Sequence, residues 1–105
     1  MLNNIVIMGR LTKDPELRYT QTNKAVANFS VAVDRDIGDG TDFVECVAWD
    51  RAAEFLSKYF FKGSMIIVKG SLRQRSWEDK DGKKRTSYEI ASEHIYFGER
   101  KNERS

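Results

Sequence analysis

The sequence predicts a mostly-β fold, a small closed barrel carrying one helix. Three observations predict it. Several stretches alternate apolar and polar residues with the strand period of two, separated by turns rich in Gly, Asp and Asn. Only one stretch, Ala52 to Phe60, carries the helical period. At 105 residues the chain can build one domain with a real core, but not two.

Asn3 to Leu11 reads as the first strand, with Ile5 and Ile7 on one face and Val6 and Met8 on the other. One face can line a barrel interior. The other wants a second cover, which a subunit interface or an overlying loop would supply. Thr12 to Glu16 is a loop, because the residue before Pro15 is steered out of the helical region. Leu17 to Thr20 returns to extended structure, and Gln21 to Lys24 is a polar turn in which Asn23 can take positive φ. Ala25 to Arg35 alternates again, with Ala27, Phe29, Val31 and Val33 opposed to Asn28, Ser30 and Asp34. The two glycines of Asp36 to Thr41 then turn the chain into a hairpin.

Thr41 to Gly63 is one strand running into one helix. Val44, Cys46 and Ala48 form a small apolar set suited to a core. Phe43, Glu45, Val47 and Trp49 form the opposite face, and the carboxylate predicts that this face meets solvent. Two large aromatics on a solvent-facing strand need a reason. Asp50 is placed to cap the helix, and Ala52, Phe55, Leu56, Tyr59 and Phe60 form its apolar stripe. Gly63 suits a left-handed C-terminal residue.

Met65 to Gly70 is a buried strand, with Gly70 marking a bulge or a sharp bend. In Ser71 to Trp77, Arg73, Arg75 and Trp77 share one face while Leu72 and Gln74 share the other. A charged tip turns at Asp81-Gly82. The last strand, Thr86 to Phe97, changes parity between Ile90 and Ile95, which a bulge near Ser92 would reconcile. Residues 1–98 are thus expected to form one domain, and 99–105 a short polar end without fixed structure. Five strands in this order, with a helix between the third and fourth, point to an OB-fold, a five-stranded Greek-key barrel.

Composition narrows the function. With 40% apolar and 32% charged residues, the chain has the make-up of an ordinary globular domain. No apolar run approaches the roughly 20 residues of a membrane span, and no signal segment precedes the first strand. One cysteine allows no internal disulfide and fits a reducing cytoplasm. Cys46 falls among core positions, so a buried thiol outweighs a nucleophile. His94 stands alone in its strand. No metal-ligand spacing or phosphate-binding glycine loop occurs. The chain is expected not to be an enzyme and to need no metal or cofactor.

Binding is better founded. Phe43, Trp49 and Trp77 are interleaved with Arg35, Arg51, Arg73 and Arg75 on or beside strands. Bases stack on aromatic faces and cations follow phosphates, the two ingredients of a single-strand groove. Each element has a plainer reading: strand tryptophans are often core, Arg73 and Arg75 could be a solvated face, and Lys83-Lys84-Arg85 could be a soluble hairpin tip. The coincidence of aromatic and basic residues on the outer faces of two strands favours the groove.

These stretches also resemble the bacterial-type single-stranded DNA-binding proteins. The resemblance covers nearly the whole chain through NNIVIMGRLTKDPELRYT, AVANFSVAVDR, DFVECVAWDRAAEFLSKYFFKG and LRQRSWEDKDGKKR, in family order. It implies an OB-fold that assembles as a homotetramer, a dimer of dimers, and wraps single-stranded DNA with little sequence preference during replication, recombination and repair in the cytoplasm. It implies stacking by Phe43, Trp49 and Trp77, and backbone contacts from Arg10, Arg18, Arg35, Arg51, Lys62, Arg73 and Arg75. Two departures stand out. Glu45 is acidic where relatives often carry a neutral or basic residue. The segment between Arg35 and Thr41 is short, with Ile37 where some relatives place another stacking residue. Family members usually continue into a linker with an acidic tip that recruits repair and replication enzymes. This sequence stops at Ser105, so tip-dependent recruitment is expected to be absent. The competing expectation is an OB-fold protein-interaction module of the primosomal-adaptor type, in which the outer aromatics would be lost.

Overall fold

The computed structural model describes residues 1–99. Six strands and one helix follow in the order β1 (Ile5–Leu11), β2 (Glu16–Tyr19), β3 (Ala25–Asp34), β4 (Thr41–Trp49), α1 (Asp50–Tyr59), β5 (Met65–Glu78) and β6 (Lys84–Phe97). The sheet runs β1-β5-β6-β4-β3-β2, and β1 also pairs with β3. That extra pairing closes a five-stranded barrel of β1, β5, β6, β4 and β3, as the OB-fold expectation requires. The short β2 is an added edge strand on β3, which is why the helix follows the fourth strand rather than the third. The segment expected to be extended from Leu17 thus becomes a paired element.

Closure depends on one close approach. β1 pairs with β5 from Ile5 to Arg10, then hands over to β3 through Arg10↔Ala32 and Leu11↔Val31. A Cβ at Gly9 would run into the Ala32 carbonyl, so the crossing needs glycine. Inside lie Leu11, Ala27, Phe29, Val31, Cys46, Ala48, Ile66, Val68 and Ile90, all buried. The alternation read from the sequence selects these residues because one parity of each strand faces inward.

The helix closes one end of the barrel. Its buried residues are Ala53 and Leu56, followed by Phe60 just past its end. Ala52, Phe55 and Tyr59 flank that line, so the stripe is centred one residue later than Ala52 suggested. Phe60 stacks on Phe97 at 4.7 Å between ring centroids, and Phe55 meets Phe97 edge-on at 5.6 Å, fastening the helix to the end of β6. Both expected helix ends are corrected. Trp49, not Asp50, holds the cap position, and no side chain caps the first turn. Asp50 is instead the first helical residue, at φ 54°, a left-handed value that short polar residues tolerate. Its carboxylate still lies at the positive end of the helix. At the other end the chain leaves the helix at Phe60, so Gly63 (φ 89°) belongs to the following turn and donates its N–H to the Leu11 carbonyl.

β5 and β6 form a hairpin whose outer half projects beyond the barrel, with Leu72 to Glu78 exposed. Lys69 pairs with His94 but Gly70 with Ser92, leaving Glu93 as an extra residue. This is the bulge expected beside Gly70 and Ser92, and it resolves the parity change. A Cβ at Gly70 would collide with the Ala91 carbonyl. The hairpin tip differs in detail: Glu78 pairs with Lys84, so Asp81-Gly82 sits inside a longer loop from Asp79 to Lys83. Asp79 organises it, its carboxylate accepting from the Asp81 and Lys83 amides and from Arg85. β6 accordingly begins at Lys84 rather than Thr86. The polar end expected from residue 99 lies, apart from Glu99, outside the described residues.

Candidate nucleic-acid interface

Strand register assembles the outer surface residue by residue. Directly paired residues on neighbouring strands point to the same face. Arg18 on β2 pairs with Val26 on β3, and Val26 pairs with Trp49 on β4. Six residues along β3, Ala32 pairs with Arg10 on β1 and with Phe43 on β4. Two parallel rows result, each a cation, a small apolar residue and an aromatic. Between them Glu45 lies opposite Ser30, and Val47 opposite Asn28.

The same face continues across β6 onto β5. Val47 pairs with Ala91, and Ala91 with Ser71. Counting by twos along β5 from Ser71 reaches Arg73, Arg75 and Trp77. The two patterns that stood apart in the sequence therefore belong to one surface. Opposite them on β6 lie Glu89, Ser87 and Arg85.

Exposure bears on how this surface can be used. Phe43 is 66% exposed, Trp49 45% and Trp77 43%, so all three rings are open to contact. Val47 is an exception to the solvent-facing expectation for its face: flanked by β3 and β6, it is buried. The Arg75 guanidinium lies over the Trp77 ring, 5.3 Å from its centroid.

The remaining cations are differently placed. Arg10 donates to the Gly63 carbonyl at 2.8 Å and reaches Glu99 at 3.4 Å. The first bond brings the turn carrying Lys62 to the Arg10 end of the surface. Arg18 donates to Asn28 Oδ1 at 3.1 Å, within the face. Arg51 is exposed in the first helical turn, outside the strand register. Arg35 lies past the end of β3 and is gripped by Asp42, with Nη2 to Oδ1 at 2.8 Å and Nε to both oxygens at 3.3 Å. That ion pair lowers the Asp42 carboxyl below its ordinary range, chiefly through the hydrogen bond from Arg35. Ile37, in the short hairpin loop, is almost fully exposed.

Sequence reasoning singled out Glu45 but missed Glu89, which the pairing of β4 with β6 brings to the same surface. Next to the Cys46–Ile90 pair, Glu45 and Glu89 follow on the outer face of β4 and β6. Burial, and after it the charges of Glu45 and Glu89, push the Cys46 thiol up to about 12, so it is a neutral core group at physiological pH. Arg85, read from the sequence as part of a charged hairpin tip, lies directly opposite Trp77 and is bonded to Asp79 at 2.8 Å. Among the described residues, no cluster of three or more His, Cys, Asp or Glu could hold a metal, and no helix is long and apolar enough to cross a membrane.

Comparison with known proteins gives the family. The family model of the single-strand binding protein family matches residues 2–98. A single-stranded DNA-binding protein of Oceanobacillus iheyensis is 44% identical over 106 residues, covering 96% of this chain and 66% of that protein. Single-stranded DNA-binding protein 2 of Listeria monocytogenes is 43% identical over 97% of this chain and 67% of its own length. Single-stranded DNA-binding protein A of Bacillus subtilis is 43% identical, with coverages of 97% and 62%. The chain spans about two thirds of the length of these relatives. With an OB barrel, an aromatic and basic outer face, and a match over nearly its full length, this chain belongs to the single-strand binding protein family.

Proposed function

We propose that this chain binds single-stranded DNA, largely without sequence preference, and protects and organises it during replication, recombination and repair. One observation carries the reading: the register joins Arg18–Val26–Trp49, Arg10–Ala32–Phe43 and Arg73–Arg75–Trp77 into one face. Phe43, Trp49 and Trp77 stack bases. Arg10, Arg18, Arg51, Lys62, Arg73 and Arg75 follow the phosphates, with Arg35 at the margin. The role is binding rather than catalysis, in the cytoplasm with the nucleoid. The adaptor alternative would expect the outer aromatics to be lost, and they are present and exposed.

Assembly belongs to the same proposal. Val6 and Met8 are 59% and 53% exposed on the outer face of β1. Met8 pairs with Ile67, and Ile67 with Tyr96, making an apolar row. Among the described residues β1 pairs with β3 only at Arg10 and Leu11, so its earlier backbone edge is open there. A second copy can cover both, the first step towards a homotetramer.

The test is a titration of intrinsic tryptophan fluorescence with oligo-dT over a salt series, with a duplex control. Each stacked base is worth about 1–3 kcal/mol, so Trp49→Ala or Trp77→Ala should weaken binding roughly tenfold or more. The salt slope should barely change, because no phosphate contact is removed. Arg73→Ala or Arg75→Ala should instead reduce the slope by about 0.7 each. Normal binding by both tryptophan variants would make those rings packing residues and move the groove elsewhere.

A further inference from the structure

The centre of the outer face is acidic, and this charge sits where bases would lie. Glu45 is exposed on β4, on the same face as Phe43 and Trp49 and two residues from Phe43. Alternate residues of a strand are roughly 7 Å apart, so the carboxylate stands beside a base stacked on Phe43. Among the described residues it has no hydrogen-bond or ion-pair partner, and Ser30 opposite does not bond it. The cations stand towards the two margins, Arg10 and Arg18 on one side and Arg73 and Arg75 on the other. A bound strand whose phosphates are repelled from the middle and held at the margins would turn its base edges towards Glu45.

An ionised carboxylate only accepts hydrogen bonds. Cytosine and adenine offer an exocyclic amino group, and guanine offers N1–H with its amino group. Thymine presents two carbonyl oxygens flanking a single N–H, and those oxygens face the carboxylate with like partial charge. The pairing of a Glu carboxylate with the cytosine amino group follows the same chemistry in duplex readout. We propose that Glu45 biases the bound strand towards amino-bearing bases at the Phe43 step, against thymine. This rests on the single-stranded DNA reading above and refines it: a mild local preference on a general binding surface.

The test compares oligo-dC with oligo-dT of equal length, and reads the change in their affinity ratio between variants, in which intrinsic differences between the two strands cancel. Affinities are measured by tryptophan quenching for the unmodified protein, Glu45→Ala and Glu45→Gln, at moderate salt to damp long-range repulsion. The alanine variant should bind oligo-dT more tightly, because a repulsive charge is gone. Its preference for dC over dT should fall about threefold or more, the worth of one partly solvated hydrogen bond. Glutamine, which can also donate to thymine carbonyls, should lose at least as much. Tighter binding of both oligomers by the same factor would reduce Glu45 to a repulsive charge and overturn the proposal while leaving the binding reading intact. Failure of the unmodified protein to bind either oligomer would overturn both.

Discussion

Arg35 and Arg75 carry the same charge but are differently engaged. Arg75 lies over Trp77, where its charge remains available to an anion. Arg35 is held by Asp42 through three short contacts, so its charge is already matched. On the proposed function, removing each should therefore read differently. Arg75→Ala should lower the salt slope of oligo-dT binding by about 0.7, whereas Arg35→Ala should change it by much less. Asp42→Asn should free the guanidinium and raise affinity at low salt; equal slopes for the two arginine variants would show that the ion pair opens when DNA binds. The difference between these arginines was not legible in the sequence. Arg35 and Asp42 are brought together across the Asp36–Gly40 loop, and a count of basic residues treats both arginines alike. The aromatics were legible, because period-two alternation put Phe43 and Trp49 on the parity opposite Cys46, and Arg73, Arg75 and Trp77 on one face.

The β5–β6 hairpin shows how far such reading extends at the scale of an element. Its strands, its bulge and its turn region follow from alternation, the parity change and Asp81-Gly82. Its register does not. A two-residue turn at Asp81-Gly82 would set Trp77 opposite Thr86, while the actual loop sets it opposite Arg85. The cause is Asp79, whose carboxylate gathers two amides and a guanidinium and so enlarges the turn. Those bonds, first the one from the Lys83 amide and then the one from Arg85, hold the Asp79 carboxyl below its ordinary value of 3.8. A lowered carboxylate stabilises the folded loop at pH values above 3.8, and that contribution is lost as pH falls through the lowered value. Amide exchange at Asp81 and Lys83 should accordingly accelerate on acidification beyond the intrinsic rate change. Asp79→Ala should show the faster exchange already at neutral pH. Unchanged protection in the variant would mean that the backbone bonds from Asp79 N–H to the Lys83 carbonyl and from Gly82 N–H to the Asp79 carbonyl suffice to set the turn.

At the scale of the whole molecule, barrel closure divides β1 between two neighbours and, among the described residues, leaves part of one edge unpaired. Gly9 permits the crossing onto β3, and the strand before it keeps one open edge and one apolar face, with Val6 and Met8 outward. The sequence showed that β1 is apolar on both faces but left open whether a loop or a subunit covers the outer one. Among the described residues no loop does, since both side chains are more than half exposed. An open edge and an apolar row on the same strand are complementary to a second copy of themselves about a two-fold axis. Met8→Lys should place a charge at that contact, where desolvation without a partner costs about 1–3 kcal/mol at least. A two-fold contact contains the substitution twice, so the penalty is doubled and the oligomer should dissociate at concentrations where the unmodified protein remains assembled. Light scattering across micromolar concentrations measures this directly. The barrel itself should survive, because Met8 points away from the core, and the tryptophan quenching of an isolated OB unit should persist with lower affinity. A monomer for the unmodified protein under the same conditions would remove the assembly proposal. It would leave the outer face of β1 to a different partner, and the stacking surface on β4 and β5 would be unaffected because it is built within one chain.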